Sequence, residues 1–572
     1  DDIGRLLQVS GNDGSYVKTS YDELDKSTDL HYKFNGQRRD VYFHYSDKDN
    51  LPLDVKFGTD SKYIVENNYD ELTRLKFKTY TIPNTNSKIN TSYSYVDWSG
   101  NNSDRTTGTV RGIDYTYVAE GLTTHDRWYT YDNVGNILTE CRWISSSSKP
   151  VQESYTYDAK NQLVRHDSVT QNCTITYAYD AGGNITSKSV YAYTTGDLTG
   201  KTATDTVSYD YGNDAWKDEL TSYDGEAIEY DKIGNPTSYR GWGMTWQGRQ
   251  LTKAVKDKTV TFTYDSEGIR TSKSDGTNTT KYLLNGTQIL AQKTGSTTLS
   301  FFYDQQGNRV AMADGSNHFY YYIYNLQGDV IALADASTGK LAATYTYDAW
   351  GKLVKLEDTT ANSVGTLNPF RYKGYYYDTE TSLYYLQSRY YDPDTGRFIS
   401  ADGQLNGGVL GYNMFAYCEN NPINESDPSG DWSLKNAFEK IYNTLKQVAN
   451  SVEKAAKTTF NSIVMYAEHR KKGTTGEHNR NKHEEGQARK QRDSGKEKGD
   501  ARRKDHSNKR NKIISITQDT AKKIAGGVIV VAAGAGILYL TLNDATGIGA
   551  LDDIAIPPAI KIFEYGLTLA GI

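Results

Sequence analysis

Tyr129-Thr-Tyr-Asp-Asn-Val-Gly-Asn-Ile137, Tyr155-Thr-Tyr-Asp-Ala-Lys-Asn-Gln-Leu163 and Tyr177-Ala-Tyr-Asp-Ala-Gly-Gly-Asn-Ile185 are three copies of one pattern. Tyr-Thr-Tyr alternation places two rings on one face of a strand and the small residue on the other. The Asp then opens a turn, and the Gly or Asn that follows tolerates the left-handed backbone a hairpin needs. Each copy therefore reads as strand, turn and return strand. The pattern returns at Tyr230-Asp231, Tyr264-Asp265, Tyr303-Asp304, Tyr324-Asn325 and Tyr347-Asp348, and more faintly at Tyr21-Asp22 and Tyr69-Asp70. A spacing of roughly 21–26 residues between clear copies marks a repeat architecture. One hairpin cannot bury its aromatic face alone, so neighbours must join into a continuous sheet.

Composition agrees. Among 572 residues there are 48 Tyr and 50 Gly but only 10 Pro and 4 Met, the signature of short strands and tight turns. The mean hydropathy of -0.72 is low because Tyr scores as polar while packing as a large ring. A formal charge of -6 implies no bulk electrostatic partner. Three scattered cysteines, Cys141, Cys173 and Cys418, suit neither a disulfide framework nor a metal cluster, and no cofactor is expected. The opening residues Asp1-Asp2-Ile3-Gly4 carry no basic, then apolar, signal-peptide pattern.

From residue 368 the pattern tightens into Asn368-Pro-Phe-Arg-Tyr-Lys-Gly-Tyr-Tyr-Tyr-Asp378, then Leu383-Tyr-Tyr-Leu-Gln-Ser-Arg389-Tyr-Tyr-Asp-Pro-Asp-Thr-Gly-Arg397-Phe-Ile-Ser-Ala-Asp402. Asn413-Met-Phe-Ala-Tyr-Cys-Glu-Asn-Asn-Pro422 and Asp427-Pro-Ser-Gly430 complete it. These motifs closely resemble the core of RHS/YD-repeat proteins, and the resemblance covers residues 120–430 well and 1–120 weakly. It implies a mainly β fold: a spiral shell of antiparallel YD-repeat hairpins plugged by an RHS core, followed by an α-helical C-terminal tail. It also implies a polymorphic toxin, exported or displayed at the cell surface, with an immunity protein as a partner. Cores of this family act as aspartyl autoproteases that cut just beyond Asp-Pro-x-Gly.

The family motif carries over to Asp427, with Asp402 and Asp431 as candidate partners by sequence proximity and Gly430-Asp431 as the cleavage region. Self-cleavage needs two carboxyl groups in unequal states, one to activate water and one to protonate the leaving amine. The ordinary alternative is that Asp-Pro-Ser-Gly is simply a turn. Asp431 stands where many relatives carry Leu, and a shell of about 430 residues is short for complete enclosure. Arg397 and Arg389 are read as residues of the core plug, with Arg397 pinning it through an ion pair.

Six segments follow: degenerate repeats over 1–120, the YD shell over 121–360, the core over 361–430, an amphipathic helix over 431–472, a basic segment over 473–512 and a hydrophobic tail over 513–572. The helix rests on three- and four-residue apolar steps from Leu434 to Ile463. Between Arg470 and Lys512 there are 16 Lys or Arg against 7 Asp or Glu. That stretch reads either as a solvated linker or as a nucleic-acid-cleaving effector using His478, His483 and Glu484. Irregular spacing argues against a metal there. Ala525 to Leu542 is 18 residues without a charge, about 27 Å as a helix and so near a membrane-spanning length. The leading expectation is a shell carrying a releasable effector that acts on a target membrane. The alternatives are a nuclease-type effector, with nucleic acid as its partner, and a surface adhesion or anchoring module.

Overall fold

The computed structural model describes residues 5–431, apart from residue 25, 59–60, 86, 98–105, 118–125, 143–149, 404–409 and 411, together with the backbone of 528–533 and 536–541. The chain divides into two units, Asp1–Asn436 and Ala437–Ile572.

The first unit is almost wholly antiparallel strand. One meander of 18 strands runs from Gln8–Ser10 to Glu226–Ala227, and a second of 14 runs from Glu229–Tyr230 to Leu353–Asp358. Successive strands pair with their sequence neighbours, as Arg127–Tyr131 does with Ile137–Arg142 and Val151–Tyr157 with Leu163–Ser168. The hairpin turns follow one local rule. Asp132 Oδ1 accepts the N–H groups of Val134 (2.9 Å) and Asn136 (2.8 Å), while its Oδ2 accepts from Asn136 Nδ2 (2.8 Å). Gly135 takes φ 93° at the point where the chain reverses, a region open to Gly at little cost. Asp231, with Ile233 and Asn235, repeats the same bonds.

The two tyrosines of each copy have different tasks. The first ring is buried, as in Tyr129, Tyr155 and Tyr177. The second sends its hydroxyl to a main-chain carbonyl of an earlier hairpin: Tyr157 to Ile137 (2.8 Å), Tyr179 to Leu163 (2.7 Å), Tyr324 to Arg309 (2.8 Å) and Tyr347 to Val330 (2.9 Å). At that tyrosine the ladder slips by one residue, a β-bulge that sharpens the local twist. The repeat is thus a staple between consecutive hairpins as well as a strand.

Early strands of the first meander pack on the second. Phe57 stacks on Phe302 at 4.7 Å, Tyr321 donates to the Thr81 carbonyl (2.6 Å) and Tyr115 to that of Tyr324 (2.5 Å). The core segment forms a separate sheet of four short strands, Tyr376–Asp378, Leu383–Tyr385, Tyr390–Asp392 and Arg397–Phe398. Its Asn-Asn-Pro element reaches the repeat turns directly. Asn421 bonds Asn136 (3.0 Å), and Asn420 bonds Gln162 (3.1 Å) and the Gly183 carbonyl (2.6 Å). Turn residues of the repeats therefore double as sockets for the core.

In the second unit, Val528–Ala533 pairs antiparallel with Gly536–Thr541. This corrects the expectation of a helix over 525–542. A run of β-branched Val528-Ile529-Val530-Val531 prefers strand, and the Gly-Ala-Gly at 534–536 interrupts it in the middle. Among the described residues no helix is long and apolar enough to cross a membrane. The expected amphipathic helix over 431–472 and the basic segment with His478, His483 and Glu484 lie outside the described residues.

Candidate active site

Asp402 and Asp427 lie 25 positions apart in sequence, yet one guanidinium joins them. Arg389 Nη2 is 2.9 Å from Asp402 Oδ2 and 3.5 Å from Asp427 Oδ2. All three side chains are buried. The same arginine donates from Nε to the Gly430 carbonyl and from Nη1 to the Met414 carbonyl (3.1 Å), and its Cζ sits 3.5 Å from the Phe398 ring centre. Burial pulls the guanidinium below its ordinary range, against Asp402, Asp427 and Asp431, whose charges act in the opposite sense.

Several elements hold this cluster in register. Arg389 immediately precedes the core strand Tyr390–Asp392, and Asp402 follows Arg397–Phe398, its N–H bonded to the Met414 carbonyl (2.8 Å). The Asp427 N–H donates to Tyr375 Oη (2.7 Å), which is 3.0 Å from Tyr417 Oη. Asp427 Oδ1 accepts the Gly430 N–H (2.9 Å), closing the expected Asp-Pro-Ser-Gly turn. The Ser429 carbonyl is held by both the N–H (3.1 Å) and the hydroxyl (2.8 Å) of Ser388.

Gly430 has φ 76°, and a Cβ there would lie 2.8 Å from the Leu386 carbonyl oxygen and from Ser388 Oγ. Only glycine lets the chain pass this close to the core. Asp431 joins the site through its backbone N–H, which donates to Ser429 Oγ (3.3 Å). The 430–431 peptide is thus gripped firmly on its carbonyl side.

Of the residues expected from the sequence, Asp402, Asp427, Gly430, Asp431 and Arg389 converge here. Arg397 does not. It lies elsewhere on the core and donates to Asn184 Oδ1 (3.2 Å), Tyr211 Oη (3.1 Å) and the Asp218 carbonyl (2.8 Å). It pins the core through neutral acceptors where an ion pair was expected. Tyr375, Ser388 and Ser429 were not singled out beforehand. Nothing distinguishes Tyr375 within its run of three tyrosines, and two serines in loops carry no sequence signal of their own.

A second polar cluster lines a cavity of about 60 Å³. Several of its charges are paired: Arg127 with Glu140, Arg142 with Glu153 (3.2 Å) and His166 with Glu153 (2.9 Å). Burial alone would raise the Glu153 carboxyl, but His166, Thr170 and Arg142 outweigh it and hold it at about 2.

The Teneurin YD-shell family profile matches residues 27–423. The tRNA nuclease WapA of Bacillus subtilis strain 168 is 35% identical over 360 residues, 60% of this chain and 15% of that protein. The double-stranded DNA deaminase toxin A of Burkholderia cenocepacia is 24% identical over 77% of this chain and 30% of its own. This chain therefore spans well under two thirds of such relatives. The crystal structure of TcdB2-TccC3 without its hypervariable C-terminal region superposes with a TM-score of 0.58 at 17% identity, over 73% of this chain and 22% of that one, a likeness of fold.

Proposed function

The chain belongs to the Teneurin YD-shell family, and we propose that its shell carries the segment after residue 430 and releases it by cutting its own Gly430–Asp431 bond. The observation that carries this reading is the single arginine shared by two buried carboxylates and the carbonyl next to them.

The two carboxyl groups divide the work between base and acid. Asp402, closer to Arg389, keeps its negative charge and takes a proton from the attacking water. Arg389 Nε steadies the charge that grows on the Gly430 oxygen, as a fixed cation in a buried site does well. Asp427, the second carboxyl held by the arginine, serves as the acid in this reading. Bonds to Ser388 and Arg389 keep the new shell terminus in place.

Time-resolved intact-mass analysis of the full chain, made by cell-free synthesis, tests this. The 64.1 kDa chain is expected to give two species, residues 1–430 and 431–572. A chain that stays whole, or splits elsewhere, overturns the reading. Gly430→Ala adds a test of register. Its Cβ would push the peptide off Arg389, and cleavage is expected to slow by about 10²-fold, as misplacement by an ångström does.

The released segment is a toxin in this reading, and an exported chain of this kind needs an immunity protein in the cell that makes it. The uncharged run from Ala525 to Leu542 supports a membrane target. The relatives, a tRNA nuclease and a DNA deaminase toxin, together with the basic stretch at 470–512, favour nucleic acid as the second reading. Leakage of dye from anionic vesicles, measured beside degradation or deamination of tRNA and DNA, separates the two.

A further inference from the structure

Resting on the self-cleavage proposed above, we infer that Arg249, on a repeat hairpin of the second meander, positions Asp402 for the cut and so ties release to a shell docked on its core. Asp402 lies beyond the last core strand, which ends at Phe398. The residue before it is held from outside the core. The Ala401 N–H donates to the Gly234 carbonyl (3.0 Å), and Arg249 Nη1 donates to the Ala401 carbonyl (2.6 Å). Gly234 lies in the turn between Glu229–Tyr230 and Pro236–Tyr239, and Arg249 in the turn between Trp242–Gln247 and Gln250–Val255. Asn235 Nδ2 ties the two turns together by donating to the Gly248 carbonyl (2.8 Å).

The Ala401 carbonyl and the Asp402 N–H belong to one peptide group, which is planar and stiff. A bond at each of its two polar atoms therefore sets the plane from which the Asp402 side chain springs. Met414, a core residue, holds the N–H at 2.8 Å, and Arg249, a shell residue, holds the oxygen. Together they decide where the carboxylate stands relative to Arg389, 2.9 Å away. The guanidinium also lies against the following residue, since a Cβ on Gly403 would be 3.7 Å from Arg249 Nε. The shell approaches closely on the other side as well: a Cβ on Gly234 would lie 2.7 Å from Ala401 Cβ. Arg249 itself is exposed. Its removal leaves the Ala401 carbonyl to water, which satisfies the acceptor without fixing its direction. Until the hairpin that carries Arg249 packs on the core, the base lacks a fixed place and the tail stays joined to the shell.

The test compares Arg249→Ala and Arg249→Lys with the wild-type chain, each followed by intact mass after cell-free synthesis and by urea unfolding. Arg249→Ala is expected to slow cleavage about tenfold while its urea midpoint stays that of the wild type. The loss is smaller than the roughly 10²-fold of a full ångström's misplacement, because the bonds to Gly234 and Met414 remain. Arg249→Lys keeps a cationic donor, and the site asks for one bond to one carbonyl, so it is expected to stay within roughly threefold of the wild type. Cleavage of folded Arg249→Ala at the wild-type rate overturns the inference, as does Arg249→Lys as slow as the alanine variant. A midpoint that falls along with the rate assigns the loss to the fold and overturns it too. A wild type that never splits overturns self-cleavage itself, which is a different result from a chain that splits at one rate whatever stands at position 249.

Discussion

An Asp427→Asn chain is expected to stay a single 64.1 kDa species over a period in which the wild type divides completely. The expected slowing is about 10²–10⁴-fold, the range for loss of a positioned acid or base. Asparagine nearly matches aspartate in shape and keeps an oxygen for the Gly430 N–H, so the turn survives while the transferable proton is lost. Asp402→Asn removes the base and is expected to match it. The double variant should be little slower than either single one, because groups that act as a unit are not additive. Arg389→Lys is expected to fail as well: a point cation cannot reach two carboxylates and a carbonyl together. Cleavage of folded Asp427→Asn at the wild-type rate would show that the Asp-Pro-Ser-Gly turn is only a turn.

Arg270→Ala is expected to destabilise the first unit by about 3–5 kcal/mol, the cost of stripping one partner from a buried ion pair. The Arg270 side chain is fully enclosed, with Asp378 Oδ2 at 2.5 Å and Oδ1 at 3.0 Å. Five rings surround its Cζ, from Tyr385 at 4.1 Å to Tyr390 at 5.9 Å. Arg270 sits on a strand of the second meander and Asp378 on the core sheet, so the pair fastens core to shell. Lys273, itself 3.0 Å from Asp378 and 2.6 Å from Glu380, is too far along the strand to fill the lost volume. A lowered denaturation midpoint in urea would register the loss. Adding Asp378→Asn removes a buried carboxylate that has lost its bidentate arginine and keeps Lys273 as a cation, and should recover part of the stability. A midpoint unchanged in Arg270→Ala would mean that the core is held by its apolar contacts alone.

The hairpins were legible because their causes are local. Tyr-x-Tyr-Asp-x-x-Gly-Asn specifies strand alternation, an Asp-capped turn and a left-handed glycine within nine residues, and the observed bonds of Asp132 and Gly135 follow that logic. The hydroxyl staple from Tyr157 to Ile137 was not legible. It joins different hairpins, and only the lateral spacing of the sheet sets its partner. The run at 525–542 misled for a related reason. A uniformly apolar stretch has no periodicity to separate strand from helix, and the β-branched residues with their central glycines decided in favour of strand.

The candidate site divides the same way. The sequence by itself determined the repeat and the turn at Asp427-Pro-Ser-Gly430, while its resemblance to RHS/YD-repeat cores pointed to Asp427 and Arg389, and proximity in the chain added Asp402. Tertiary structure alone decided that one arginine bridges both aspartates and the Gly430 carbonyl, and that Arg397 turns away to Asn184. Convergence of that kind depends on how the core strands fold back on one another, and such long-range packing leaves no period or spacing in the chain to be read.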